Sequence, residues 1–328
     1  MSRVRSRVWR DGELVATDFP LDDLDSWLAD ETALTWLDLC EPDRAVLDRL
    51  AEELRLDPLA VEDAIEPRER PKATRHASHT FFTCYAAELT SSADRAELRT
   101  GRVSGFVMPR GLITVRQADE VDMDVVLDRW NEDGMLAFGP SALVHGLLDV
   151  IVDEHFVTIQ EMDDALEDLE DLLFDDRVAS RAIQQRVYAL RKALVQLRRI
   201  VLPMREVVAS VMRLRLANPT SHRELDGLFN DLYDHVLRAA EWTESLRDMV
   251  TSVFETNLSL QDARLNTVMK KLAAWGAIIA VPTAVTGWFG QNIPYPGFEN
   301  LWGLWQSALL ILVGTVGLYL LFKKFDWL

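Results

Sequence analysis

Two long uncharged segments near the C-terminus constrain the fold more than any other feature of the chain. Ala273–Phe289 and Trp302–Phe322 contain no Asp, Glu, Lys or Arg. A bilayer core is ~30 Å thick and a helix rises ~1.5 Å per residue, so a spanning helix needs roughly 20 apolar residues. The second segment has that length, and the first reaches it if its helix starts before Ala273. A buried hairpin in a soluble core is the alternative, but two such segments seldom occur together in a soluble fold. Arg264, Lys270 and Lys271 precede the first segment, and Lys323 and Lys324 follow the second. The loop between them has no Lys or Arg and one carboxylate, Glu299. The positive-inside rule therefore predicts both chain ends in the cytoplasm of a cell-membrane protein, with the loop outside. Trp288, Tyr295, Trp302 and Trp305 fall at the outer boundary and Trp327 at the inner one, as interfacial aromatics do.

The remaining residues, of 328 in all, suffice for a sizeable soluble domain, and the net charge is −18. So acidic a chain is unsuited to nucleic acid and suited to cations. Cys40 and Cys84 have no metal-ligand spacing and no disulfide framework, and the N-terminus has no apolar signal-peptide core. Residues 1–120 alternate short apolar runs with helical patterns and predict a cytoplasmic α+β domain. Strands are expected at Val4–Trp9, Glu13–Thr17, Thr35–Leu39, Thr80–Leu89, Val103–Pro109 and Leu112–Arg116. Turns are expected at Asp11-Gly12 and Arg110-Gly111, and helices over Arg44–Leu54 and from Pro58 to Ile65. No phosphate loop, nucleophile elbow or zinc-type cluster is present, which excludes the common enzyme classes. His76 and His79 read as surface histidines.

A helical domain is expected over residues 121–220, with helices at Val121–Asn131, Ala142–Phe174 (Ser141 as N-cap) and Ser180–Ala217. The second of these ends in the acidic run Glu161–Asp176, whereas the third carries nine Arg and Lys against the single acid Glu206. The simplest reading pairs the two faces in an antiparallel hairpin; unpaired acids at Glu161–Asp171 that bind cations are the alternative. A capping box at Ser221 and Glu224 opens a stalk helix over residues 221–289, continuing into the first span. Its seam Leu232, Val236, Ala239, Thr243, Leu246, Val250, Val253, Asn257, Leu260 predicts partner helices, hence a homo-oligomer. Along the same face follow Asn266, Met269, Leu272, Gly276, Ala280, Thr283 and Gly287, small or mildly polar and uncharged. Such a stripe fits either close helix packing or a pore lining. Pro282 is expected to kink the helix, and Gly287 and Gly290 to let the backbone leave helical geometry at the outer end.

A long cytoplasmic helix, two C-terminal spans (the second over residues 302–322), a short loop over residues 290–301 and a basic tail over residues 323–328 resemble the CorA family of divalent-cation channels. Phe289-Gly290-Gln291-Asn292 stands where the family has Tyr-Gly-Met-Asn. The ending Lys323-Lys324-Phe325-Asp326-Trp327-Leu328 and the stretch Leu56–Lys72 also fit the family. The resemblance implies a funnel-shaped homopentamer in the lipid bilayer that passes Mg²⁺, with Co²⁺ and Ni²⁺ as further cargo. Gly290, Gln291, Asn292 and Glu299 would form the outer mouth, the stripe Asn266 to Gly287 the pore, and Arg264, Lys270, Lys271, Lys323 and Lys324 a basic collar. It also implies cytoplasmic Mg²⁺ that holds the pore shut, with Asp231 as one ligand and Glu88 as a candidate partner. Neutral oxygens at the mouth suit Mg²⁺, which dehydrates reluctantly and can be held through its waters. Gln291 matches neither the family's Met nor the Gly-Ile-Asn form of the zinc-transporting ZntB branch. Two other readings stay open: proton-coupled Zn²⁺ transport of the ZntB type, and a non-conducting membrane metal sensor.

Overall fold

The computed structural model describes residues 3–67, 69–92, 95–131, 134–173, 180–216, 222–291, 294–298 and 300–328. The chain divides into two compact units, Met1–Val253 and Phe254–Leu328.

The first unit is built on a seven-stranded mixed sheet. Its strands are β1 (Arg3–Arg10), β2 (Glu13–Thr17), β3 (Ala33–Cys40), β4 (Lys72–Arg75), β5 (Thr80–Ser92), β6 (Arg95–Met108) and β7 (Gly111–Arg116), in the spatial order β2-β1-β3-β7-β6-β5-β4. Among the described residues only the central pair β3–β7 is parallel. Both of these strands are buried on both faces, as a parallel pair covered by helices must be. Side chains alternate between two cores, following the two-residue period of a strand. Val8, Leu37, Leu39, Phe81 and Ile113 face α2 (Arg44–Leu54) and α3 (Pro58–Ile65). Trp9, Trp36, Phe82 and Leu112 face α4 (Met123–Asn131), α5 (Pro140–Leu173), α6 (Ser180–Leu216) and the first turns of α7 (Asp226–Phe289). α1 (Leu24–Ala29) packs on β3, on the α2 side.

The β1–β2 turn is at Asp11-Gly12, with φ of 48° and 83°, the mirror-image turn whose twist suits a two-residue hairpin. The β6–β7 turn is Pro109-Arg110 rather than Arg110-Gly111, because Met108 pairs with Gly111. Gly111 already belongs to the strand, where a Cβ would lie 2.5 Å from the Thr35 carbonyl. Sequence patterning misses α1 and β4, which are too short to show a period. It also stops β6 at Val103, because Arg95–Arg102 is polar enough to read as loop. α5 starts at Pro140, one residue before the expected cap, and Ser221 lies outside the described residues.

The expected division at residue 120 does not appear as a boundary. Trp130 of α4 stacks edge-on against both Trp36 and Trp9, and its Nε1 donates to the Leu143 carbonyl at 2.9 Å. The helices thus share the core of the sheet. The seam of α7 is also satisfied inside the chain: Leu232 to Val253 are buried, and Leu232 and Val236 join the core of α5 and α6. That seam therefore does not by itself call for a second copy. Two basic side chains of α6 reach α7 rather than the acidic face of α5, with Arg198 on Glu244 and Arg215 on Asp226. His79 is 4% exposed and His76 largely covered, against their expected surface position. His76 Nδ1 lies 3.2 Å from Asp57, the carboxylate that caps α3, and the two imidazoles stack.

The second unit holds the end of α7 and α8 (Leu301–Lys324), both long and apolar enough to cross a membrane. α8 closes on Lys323 and Lys324, and the tail folds back, with Trp327 stacked on Phe322 and its amide donating to the Phe322 carbonyl.

Candidate functional site

α7 and α8 meet through small residues. Ala274 and Ile278 are buried, and a Cβ at Gly314 would lie 2.7 Å from Val281. Positions 274, 278 and 281 share one face of the helix, and 276, 280, 283 and 287 lie on the opposite one. All seven residues of the sequence stripe are exposed, Met269 and Leu272 at 68% and 67%. The described residues thus leave the stripe uncovered. Pro282 stays inside a continuous α7 without ending it, although it removes the donor for the Ile278 carbonyl. Thr283 and Thr286 turn their hydroxyls onto the Ile279 and Pro282 carbonyls, at 3.0 and 2.8 Å.

Beyond Phe289 the backbone leaves the helix. The Gly290 amide donates to the Thr286 carbonyl at 2.8 Å and the Gln291 amide to Trp288 at 3.3 Å. The Gln291 side chain is exposed, so it does not pack behind the loop. Asn292 and Glu299 lie outside the described residues. The returning loop is anchored by an aromatic chain, Phe289 on Tyr295 and Tyr295 on Phe298. At its tip Gly297 has φ of 99° and sits against Gly303 of α8, where a Cβ on Gly303 would meet the Gly297 carbonyl at 2.5 Å. Two glycines are needed at that crossing, one for its backbone conformation and one for its size. Arg264, Lys270, Lys271, Lys323 and Lys324 are all exposed at the ends of the two apolar stretches.

In the first unit, α5 and α7 bring together Asp149, Asp153 and His235, whose ligating atoms lie within 4.8 Å of one another. Asp231 lies one turn before His235, with its Oδ2 3.7 Å from His235 Nε2. Arg129 reaches both α5 carboxylates, at 3.3 Å to Asp149 and 3.0 Å to Asp153. Burial, then repulsion from Asp149, pushes the Asp153 carboxyl above the usual carboxylate range, while Arg129 and His235 pull it back. Two carboxylates under mutual repulsion beside an imidazole favour an added cation. Carboxylate oxygens suit Mg²⁺, and the imidazole also suits Co²⁺, Ni²⁺ and Zn²⁺. The donor set therefore fits a divalent ion.

The family model for a CorA-like Mg²⁺ transporter protein matches residues 31–324. The chain belongs to the CorA family. This is a family of ion transporters and not of enzymes. The chain is 28% identical over 320 residues to the cobalt/magnesium transport protein CorA of Thermotoga maritima, covering 95% of this chain and 89% of that one. It is 25% identical over 273 residues to the zinc transport protein ZntB of Yersinia pestis, covering 79% and 77%. Its fold matches the complete structure of the CorA magnesium transporter of Methanocaldococcus jannaschii with a TM-score of 0.76, at 20% identity over 99% and 98% of the two chains.

Of the two residues singled out from sequence as ligands of a regulatory ion, Asp231 lies beside the Asp149–Asp153–His235 group. Glu88 lies on β5 opposite Arg99, and its carboxylate acts on Glu154 and Glu161 of α5. Sequence reasoning missed Asp149, Asp153 and His235. The available signal was a pair of four-residue spacings, Asp149–Asp153 and Asp231–His235, each of which places two ligands on one helix face.

Proposed function

We propose that the protein is a Mg²⁺ channel of the cell membrane, assembled from copies around the α7 stripe and closed from the cytoplasmic side by Mg²⁺. The observation that carries this reading is the uncharged stripe Asn266, Met269, Leu272, Gly276, Ala280, Thr283, Gly287, exposed on the face of α7 away from α8. Ringed by copies of itself, it forms a path of small and mildly polar groups that a hydrated cation can follow without binding tightly. Met269 and Leu272 make its apolar constriction. Gly290, Gln291 and Asn292 form the mouth, where neutral oxygens hold the ion through its waters, and Glu299 concentrates cations outside. The basic residues Arg264, Lys270, Lys271, Lys323 and Lys324 form the inner collar, with both chain ends cytoplasmic. Co²⁺ and Ni²⁺ share the octahedral preference that admits Mg²⁺. A pentamer is the assembly the family resemblance implies.

Asp231, Asp149, Asp153 and His235 would hold the regulatory ion, which supplies a charge clamp between α5 and α7. With the ion bound, four side chains on two helices are tied together; without it, the carboxylates repel and the helices are freed to move. Proton-coupled Zn²⁺ transport is a second reading. The imidazole of His235, Gln291 in place of Met and the likeness to a zinc transport protein favour it. The two apolar stretches offer no Asp, Glu or His to relay a proton.

Uptake into liposomes separates the readings. Mg²⁺ entry indifferent to a pH gradient and lost in Asn292→Ala is the expected result. Zn²⁺ entry driven by a proton gradient would transfer the protein to the second reading, and no flux from intact oligomer would overturn both.

A further inference from the structure

α5 and α6 carry opposite charge on faces that do not meet each other. The outer stripe of α5 runs Val157, Glu161, Asp164, Asp168, Asp171, at steps of three and four residues, and all but the first are acidic. The outer stripe of α6 runs Arg181, Tyr188, Lys192, Val195, Arg199, with Arg191 beside it. Among the described residues none of these charged groups has an ion-pair partner in its own chain, whereas Arg198 and Arg215 of α6 pair on the side facing α7. Apolar side chains sit within both stripes. Tyr188 is 72% exposed, Val195 is exposed beside it, and Val157 is 59% exposed at the head of the acidic stripe.

The two stripes also match in level. α5 and α6 are joined through residues 174–179 and run antiparallel, with residues 143–152 of one sharing a core with 204–211 of the other. Asp171 therefore lies at about the level of Arg181, Glu161 at that of Arg191, and Val157 at that of Val195. Acid stands level with base at Asp171 and Arg181 and at Glu161 and Arg191, and apolar with apolar at Val157 and Val195, on the outward faces of one helical hairpin. We propose that the acidic stripe of α5 in one copy docks on the basic stripe of α6 in the next, as a head-to-tail contact between copies of this chain. Rotation about an axis along the helices keeps the levels matched, which is the arrangement of a ring rather than of a climbing filament. A two-fold contact of either stripe with its own copy would instead oppose like charges, acid on acid or base on base. Exposed ion pairs of this kind fix register and neighbour rather than supply affinity, which suits a contact whose task is to orient copies. The inference goes beyond the transport reading and holds whichever ion passes.

Cysteine crosslinking in full-length protein tests it. Cys40 and Cys84 are free but buried, so background reaction is low. One tagged chain carries Glu161→Cys and a differently tagged, co-expressed chain carries Arg191→Cys, so no disulfide can form within a chain. After mild oxidation the mixed product should exceed either like-with-like product by roughly tenfold or more. Adding Asp164→Arg and Asp168→Arg to the acidic stripe should remove the mixed product, and adding Arg181→Glu and Lys192→Glu to the basic stripe should bring it back. Oligomer size by gel filtration confirms assembly in each case. Mixed product absent from an intact oligomer, like-with-like product in excess, or no rescue by the double reversal would each overturn the proposal.

Discussion

Glu154 lies half-buried on α5, and its carboxyl is pushed up to about 7 by burial first and then by the charges of Asp122 and Glu88. In the unfolded chain it titrates near its ordinary value of 4.5. Between these values the folded state holds the extra proton, so stability falls as pH rises from about 4.5 to about 7 and stays lower above. Glu154→Gln keeps the shape without the charge. Its thermal midpoint should exceed wild type at pH 8 by several degrees, and the gap should close toward pH 5. An equal midpoint at both pH values would show that Glu154 is solvated in the native state. Buried His155 runs the other way: burial holds its imidazole down to about 4, with Nε2 2.7 Å from the Tyr85 carbonyl, so it costs stability as pH falls below its ordinary 6.5. At the candidate metal group, Asp153→Asn removes a ligand and relieves the repulsion from Asp149 that an ion would otherwise offset. The Mg²⁺ concentration that half-protects the protein from limited proteolysis should then rise roughly tenfold, as loss of a ligand commonly does. Unchanged protection would place the regulatory ion elsewhere. The residue scale is also where sequence reading failed on His79, since its burial depends on Phe106 and the stacked His76, neither placed there by any local pattern.

At the scale of elements, periodicity was a dependable guide wherever an element was long and one face was buried. α2 spans Arg44–Leu54, as its spacing of Val46, Leu47, Leu50, Ala51 and Leu54 predicts, because the buried face must repeat every three or four residues. The sheet carries a tighter constraint that no pattern reveals. Gly105 on β6 lies under Phe82 of β5, and a Cβ there would come within 2.3 Å of the ring. Phe82 is fully buried and cannot turn away. Gly105→Ala should therefore cost about 1–3 kcal/mol, the usual range for overpacking, read from the urea midpoint of the first unit's transition. A shift near zero would mean the sheet gives way at that crossing. α7 was legible as a helix and misread as an interface: its seam to Val253 is covered by its own chain, and only the later stripe is left open. Both seams look alike in sequence, because a helix buries the same pattern against a neighbour from its own chain or from another.

At the scale of the whole molecule, the transport reading requires the open stripe of α7 to face its own copies. Gly276 has no atom near enough to crowd a Cβ within the chain, so a larger side chain there leaves the fold of one copy untouched. Gly276→Leu should keep expression, oligomer size and thermal midpoint while cutting Mg²⁺ uptake roughly tenfold or more, because a ring of leucines closes a narrow pore by dewetting. Full uptake by an intact Gly276→Leu oligomer would move the ion path off this face. The sequence by itself determined the two apolar helices, the charge asymmetry at their ends and the loop motif, because membrane thickness and the cost of buried charge act on composition along the chain. It also determined most helices and strands, whose periods are local. Only the tertiary structure decided that Asp149 and Asp153 meet His235 across 82 residues of chain (235 − 153), and that the α7 seam is already covered. It alone left the charged faces of α5 and α6 pointing outward on one hairpin. Those outcomes depend on which helix faces pack together, and the apolar stripes of α5, α6 and α7 are similar enough that local pattern cannot choose between them.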